Sequence, residues 1–335
     1  MNKTIYMNVP DRLAVGMYRA KLPGQHCTEP LKARNIELTT KETLSLTERH
    51  DVYIFHRIVH HSFIEHIQKL KADGGKIIFE LDDDIFTIPK HNPAHKLTLE
   101  TETLRYCLSL SDEVWVSTEH LKTVIEDEVP GKAIYVLPNL VDLDSWQHKI
   151  FNEGEIRMLW AGSKSHIADI QILKDLVEKT NYETYFMGDY VEALSKWVRI
   201  EHTNLAVMVP RKDLEHRLKY VDPVGLEAYP ETLSALGCNV GLCPLVDEPF
   251  NYSKSNIKWL EKTLAGMCCV CANLPPYQAA TFKVKEDWVK TVSLLEDEKT
   301  RNEIWNIDLD KVKKDYSWQS HRRNIWLDQF ERCCK

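Results

Sequence analysis

The sequence has no long hydrophobic run. Across 335 residues no apolar stretch approaches the roughly 20 that cross a bilayer. The opening Met1-Asn2-Lys3-Thr4-Ile5-Tyr6 lacks the apolar core and cleavage site of a secretory leader, so a cytoplasmic protein without membrane insertion is expected. An excess of positive charge is also missing. Lys and Arg number 43 against 50 Asp and Glu, a net charge of -7, which disfavours binding to nucleic acid or acidic lipid through overall charge. Of the nine cysteines, Cys268, Cys269 and Cys271 sit in one apolar stretch, where they read as small buried hydrophobes, and no second Cys/His pair follows them at zinc-site distance. Neither a disulfide framework nor a zinc site is expected. Internal repeats, low-complexity tracts, a Walker loop and G-x-G-x-x-G are all absent.

What is present suits an ordinary globular chain, with 43% hydrophobic and 28% charged residues and 9 Trp, 13 Tyr and 9 Phe to fill cores. At roughly 150 residues per domain, the length implies two domains. Short apolar runs alternate with helical stretches, the pattern of parallel strands joined by crossover helices, so the fold class is α/β. Strands are expected at Thr4 to Val9, Val52 to His56, Lys76 to Leu81, Glu113 to Ser117 and Ala133 to Leu137. A second series comprises Ile156 to Ala161, Tyr182 to Met187, Leu205 to Val209, Asn239 to Leu242 and Met267 to Ala272. Pro138 follows the fifth strand, placing a hinge near 138–153. The division expected is 1–145, 146–315 and a C-terminal amphipathic helix in 316–335, whose Trp318, Ile325, Trp326 and Phe330 point to a return over the first domain.

The most informative segment runs from Phe250 to Gly266. Read as one helix, it puts Ile257, Leu260 and Leu264 on one face and Lys254, Lys258 and Glu261 on a separate stripe. Asn251 or Ser253 caps its start and Gly266 ends it. Lysines near a helix start oppose the helix dipole, so an anion such as a diphosphate is expected beside them, with Glu261 accepting from sugar or ribose hydroxyls. The same stripe reads alternatively as a solvated face. In Trp160-Ala161-Gly162-Ser163-Lys164-Ser165-His166 a buried strand enters a small-residue turn suited to a phosphate, or an ordinary Ser-capped helix start. Ile77 to Leu81 delivers Asp82, Asp83 and Asp84 to a strand end, where a cation, sugar hydroxyls or plain solvent could receive them. His56 and Arg57 end another strand as a proton acceptor and a phosphate partner, or as structural residues. The adjacent His60 and His61 point apart and are not expected to bind metal. Gly16 and Arg19 follow the first strand as further site candidates.

In their order along the chain these pieces resemble GT-B glycosyltransferases, above all the retaining group called family four. They are His56-Arg57, Leu81-Asp82-Asp83-Asp84, Pro138-Asn139-Leu140-Val141-Asp142, Gly162-Ser163-x-Ser165-His166-x-x-Asp169 and Pro244 through Lys254, Lys258 and Glu261. The acidic triplet followed by Phe86 and Pro89 looks like divergent, often phage-encoded, members. The resemblance implies two Rossmann-like domains facing a cleft, a nucleotide-sugar donor, UDP-linked, held by the second domain, and no required metal or other cofactor. It puts Gly162, Ser163 and His166 beside the diphosphate, Lys254 and Lys258 compensating its charge, and Glu261 on ribose. Where the family carries an acid eight residues before that glutamate, this chain has Ser253; of the family's cations after the first strand of the second domain, Lys164 alone lies near the turn.

The resulting expectations name Lys254, Lys258, His56 and Asp83 as catalytic, and Gly16, Gly162, Ser163, Lys164, His166, Ser255 and Glu261 as donor-binding. Arg19, Arg57, Asp82 and Asp84 are expected to bind the acceptor. The leading acceptor is a hydroxymethylated base of phage DNA, approached through a local strip of Arg19, Arg57, Lys90, His91, His95 and Lys96. Alternatives are a surface or lipid-linked glycan acceptor, and a silent binding protein that keeps the fold without the chemistry.

Overall fold

The computed structural model describes residues 2–11, 13–45, 48–146, 150–188 and 216–335. The strand expected at Leu205 to Val209 lies outside the described residues. β1 (Lys3–Asn8), β2 (Ile36–Lys41), β3 (Val52–His56), β4 (Lys76–Leu81), β5 (Glu113–Val116) and β6 (Ile134–Val136) pair in parallel in the order β2-β1-β3-β4-β5-β6. β7 (Arg157–Ala161), β8 (Glu183–Met187), β9 (Leu218–Val221), β10 (Val240–Cys243) and β11 (Cys268–Cys271) form a second parallel sheet, ordered β11-β10-β7-β8-β9. Helices cover both, because strands buried on two faces, such as Val52–His56 and Cys268–Cys271, need apolar cover on each side.

Strand order reverses between β1 and β3 in the first sheet and between β7 and β10 in the second. Crevices form at such reversals, beyond the carboxyl ends of the strands, and ligands bind there. Here the two crevices face each other. The segments after β1 and β4 and those after β7, β8, β9 and β10 all line one cavity of about 360 Å³.

The chain passes between the two sheets twice. Val141 on the first passage donates its N–H to the Tyr316 carbonyl (2.8 Å) and accepts from the Trp318 N–H (3.0 Å) on the second. The C-terminal helix, Arg323–Cys333, then packs on β5: Trp326 and Phe330 meet Trp115 with ring centroids 6.4 and 5.5 Å apart, and Trp326 Nε1 donates to the Pro138 carbonyl at 3.1 Å. The expected return over the first sheet is therefore present. All nine cysteines are free thiols, eight of them buried.

Candidate functional site

One wall of the cavity grows out of the second sheet. β7 ends in Ala161, and Gly162 donates its N–H to the Met187 carbonyl at 3.0 Å. A Cβ at Gly162 would press on the Trp160 ring and come within 3.3 Å of Lys258 Nζ. Gly188, which follows β8 with φ +142°, faces the Gly162 carbonyl so closely that any side chain would collide with it. The sequence reading missed Gly188; a lone glycine after a buried strand was its only signal. Ser163 and Ser165 share a hydrogen bond between their hydroxyls (3.0 Å), and His166 Nδ1 lies 2.7 Å from Asp169 Oδ2. Burial, reinforced by Lys258, Lys254 and Lys262, holds the His166 pKa well below its usual value. Burial also raises the Asp169 carboxyl to about 6. Lys164 opens the 3-10 turn of residues 164–166, and its side chain is outside the described atoms.

The 250–266 segment is not one helix. Pro249–Tyr252 and Ile257–Leu264 are separate helices joined by a turn, Asn256 rather than Asn251 or Ser253 precedes the second, and no side chain caps it. Gly266 does follow its end, with φ +89° and the Ile150 carbonyl where a side chain would sit. Trp259 to Leu264 are all buried, so no solvated face exists on that stretch. Lys258 Nζ donates to the Ala161 carbonyl at 2.8 Å, and burial together with Lys262 lowers its pKa to about 8. Lys254, set on the turn, lies 4.5 Å over the Phe250 ring and 4.0 Å from Asp83. Glu261 accepts from the hydroxyls of Tyr18 (2.7 Å) and Tyr229 (3.3 Å), and burial raises its pKa. Both tyrosines line the cavity and neither was singled out, since only the fold brings them to Glu261. Ser253 is fully buried, with its carbonyl accepting from Thr118 Oγ1 at 2.9 Å, and it is absent from the cavity lining.

The opposite wall corrects several expectations. His56 is buried below the cavity, its Nε2 2.8 Å from Glu80 Oε2 and 3.2 Å from Asp82 Oδ1, so it supports a carboxylate rather than meeting a substrate. Burial lowers its pKa despite the Asp82 contact. Arg57 adopts a left-handed backbone (φ 48°), uncommon outside glycine, which turns its guanidinium onto Asp82 and Asp83, the latter at 3.0 Å. Burial opposes the Asp82 charge, but Arg57 and His56 outweigh it and hold that carboxyl far below the ordinary range. Asp84 turns inward to accept from the Phe86 N–H (2.9 Å) and Thr87 hydroxyl (2.5 Å), capping the 85–87 turn instead of facing an acceptor. The acidic triplet is thus divided three ways.

Arg19 rides on a π-helical turn, Met17–Lys21, a form of helix that recurs at functional sites. Its buried guanidinium contacts Glu80 (2.5 Å), the Leu137 carbonyl (2.6 Å) and Asn139 Oδ1 (2.9 Å), and burial lowers its pKa to about 10. It borders the cavity, yet those donors are committed inside the protein. Gly16 is a glycine for a different reason than ligand approach: its N–H bonds Asp11 Oδ1 (2.9 Å), and a Cβ would strike the Asp11 carbonyl. The basic strip does not form. Arg19 and Arg57 are in ion pairs, His95 Nδ1 bonds the Ile88 carbonyl at 2.7 Å, His91 lies 3.8 Å from Glu248, and Lys90 and Lys96 are left exposed.

These contacts join into a circuit across the cleft. It runs from Lys254 through Asp83, Arg57, Asp82, His56, Glu80 and Arg19 to Asn139, whose Nδ2 donates to Ser255 Oγ at 2.9 Å. Its two ends are consecutive residues of the 253–256 turn. Asp82, Asp83, Lys254, Ser255 and Lys258 all line the cavity, so carboxylates on one wall confront ammonium groups on the other.

No protein-family model and no curated protein sequence matches this chain. Likeness appears in three dimensions. Sucrose-phosphate synthase from Thermosynechococcus elongatus matches over 98% of this chain and 98% of its own, with a TM-score of 0.67 at 11% identity. TarM matches with a TM-score of 0.58 at 12% identity, over 83% of this chain and 54% of its own. A mutant of S. aureus TarM in complex with Fondaparinux, alpha-GlcNAc-glycerol and UDP matches with a TM-score of 0.57 at 10% identity, over 83% of this chain and 55% of its own. At such identities the likeness establishes the fold: two parallel sheets, as the alternation of strands and helices implied, in the GT-B architecture that the resemblance implied.

Proposed function

We propose that this protein is a glycosyltransferase that moves a sugar from a nucleotide-sugar, UDP-linked, to a hydroxyl of a carbohydrate acceptor. One observation carries the reading: Lys254 and Lys258 line the same cavity as Gly162, Ser163 and Ser165, and Lys258 is held there by a neutral carbonyl rather than by a carboxylate. That arrangement leaves positive charge for an anion. A diphosphate fits it, approached closely at Gly162 and met by the serine hydroxyls, as backbone turns at strand ends meet phosphates elsewhere. UDP bound by the TarM mutant, a protein of the same fold, supports this choice of donor.

The chemistry then needs little beyond placement and charge. As the bond from the anomeric carbon to the diphosphate breaks, negative charge grows on the departing oxygen, and two ammonium groups set in the cleft stabilise that state more than the ground state. Asp83 borders the cavity from the other wall, fixed by Arg57, and is placed to orient the attacking hydroxyl. His56 acts through Asp82 as a positioning residue. With the arginines of the basic strip spent on internal carboxylates, a neutral carbohydrate suits the acceptor wall better than a DNA backbone.

The test is nucleotide release from a panel of UDP-sugars, with and without glycan acceptors, in excess chelator. Release by wild type that survives chelation, and that falls by about 10²–10³ in Lys258→Ala, is expected. A protein that binds UDP-sugars and releases nothing is a silent binder.

A further inference from the structure

His166 stands in the donor wall, and its ring is held from behind. Asp169 is itself buried, and its two oxygens are committed separately: Oδ1 accepts from the Val246 N–H at 2.8 Å, and Oδ2 lies 2.7 Å from His166 Nδ1. A backbone N–H is an obligate donor, so it fixes which way the carboxylate turns. An ionised carboxylate only accepts, so Nδ1 must carry a proton toward it. That leaves Nε2 for the cavity that His166 lines. The ring's neighbourhood supplies cations already, since Lys254 and Lys258 border the same space. Burial and those lysines oppose a second proton on the imidazole.

We propose that Asp169 locks His166 as a neutral imidazole whose Nε2 accepts a hydrogen bond from a hydroxyl of the nucleotide-sugar, making His166 a reader of hydroxyls rather than a contact of the diphosphate. This inference rests on the cleft being a nucleotide-sugar site. It gives the lysines and the histidine separate tasks: charge is met by ammonium groups, and stereochemistry is read by an oriented acceptor. Asp169 is a positioning residue, acting only through the ring.

The imidazole state is measurable without any ligand. In protein carrying ¹⁵N-histidine at pH 7.5, long-range ¹H–¹⁵N correlation spectra, with the His166 signal identified by its loss in His166→Gln, should show Nδ1 protonated and Nε2 bare. In Asp169→Asn the Val246 N–H keeps the amide oxygen and turns the NH₂ toward the ring, so the two nitrogens should exchange roles. A doubly protonated ring, or an Nε2–H in wild type, overturns the proposal. Calorimetry supplies the ligand arm. Asp169→Asn should weaken UDP-glucose by about tenfold, the upper range for one hydrogen bond, and leave inorganic pyrophosphate unchanged. If UDP alone weakens equally, the hydroxyl is on ribose; if only UDP-glucose weakens, it is on the sugar. An equal loss for pyrophosphate overturns the hydroxyl assignment. If no UDP-sugar binds wild type, the donor reading fails and the hydroxyl assignment with it, whatever the spectra show for the ring.

Discussion

Lys258 connects burial to chemistry at the scale of single residues. Burial of its ammonium, with Lys262 nearby, depresses its pKa to about 8. Below that pH the group is charged and can receive a diphosphate; above it the amine is neutral and the anion loses a partner. Affinity for UDP should therefore fall as pH rises through about 8, with proton uptake on binding above that point, because the bound anion favours the charged form. Calorimetry in buffers of different ionisation enthalpy checks this, and Lys258→Arg, which does not titrate in this range, should flatten the profile. An unchanged limb in that variant would assign it to another group. That Lys258, Glu261, Gly162 and His166 belong together was legible in the sequence because each falls in a local strand-turn or helix pattern, and all four line the cavity. Tyr18, Tyr229, Asn139 and Gly188 were not, since segments far apart in the chain create their contacts. His56, Asp84 and Gly16 were misread for the complementary reason: a polar residue at a strand end serves an inner ion pair or a turn as readily as a ligand.

At the scale of elements, the central strands could be read because they are continuous apolar runs buried on both faces. Strands β2 and β9 escaped. Ile36–Lys41 mixes Glu, Thr and Lys with its apolar residues, and Leu218–Val221 is short and half-exposed, so neither presents a continuous apolar run. The 250–266 stretch looked like a single helix because its periodicity continues through Ser253–Asn256, while the fold breaks it there and sends the Ser253 carbonyl to Thr118. The C-terminal helix was legible from its aromatics. Trp326 buries its indole against Trp115, Trp318 and Phe330 and donates to Pro138. Trp326→Ala should cost about 3–5 kcal/mol of stability, measured by denaturant melts; a loss under about 1 kcal/mol would mean that the helix contributes little to the first sheet's core.

At the scale of the whole molecule, two parallel sheets turn the carboxyl ends of their strands toward one another, and that geometry fills the cleft with strand-end and loop residues. Charges sort by wall: the carboxylates Asp82 and Asp83 on the first sheet's side, Lys254 and Lys258 on the second, joined through Arg57, His56, Glu80, Arg19 and Asn139. The circuit leaves from Lys254 and returns at Ser255, so the proposed donor-binding turn is braced against the acceptor wall at two adjacent points. The most direct measurement is a ³¹P NMR titration of UDP against wild type and Lys254→Ala/Lys258→Ala at neutral pH. A β-phosphorus shift that saturates with wild type and disappears with the double variant is expected. An equal shift and affinity in both proteins would place the diphosphate elsewhere and contradict the assignment of this cleft.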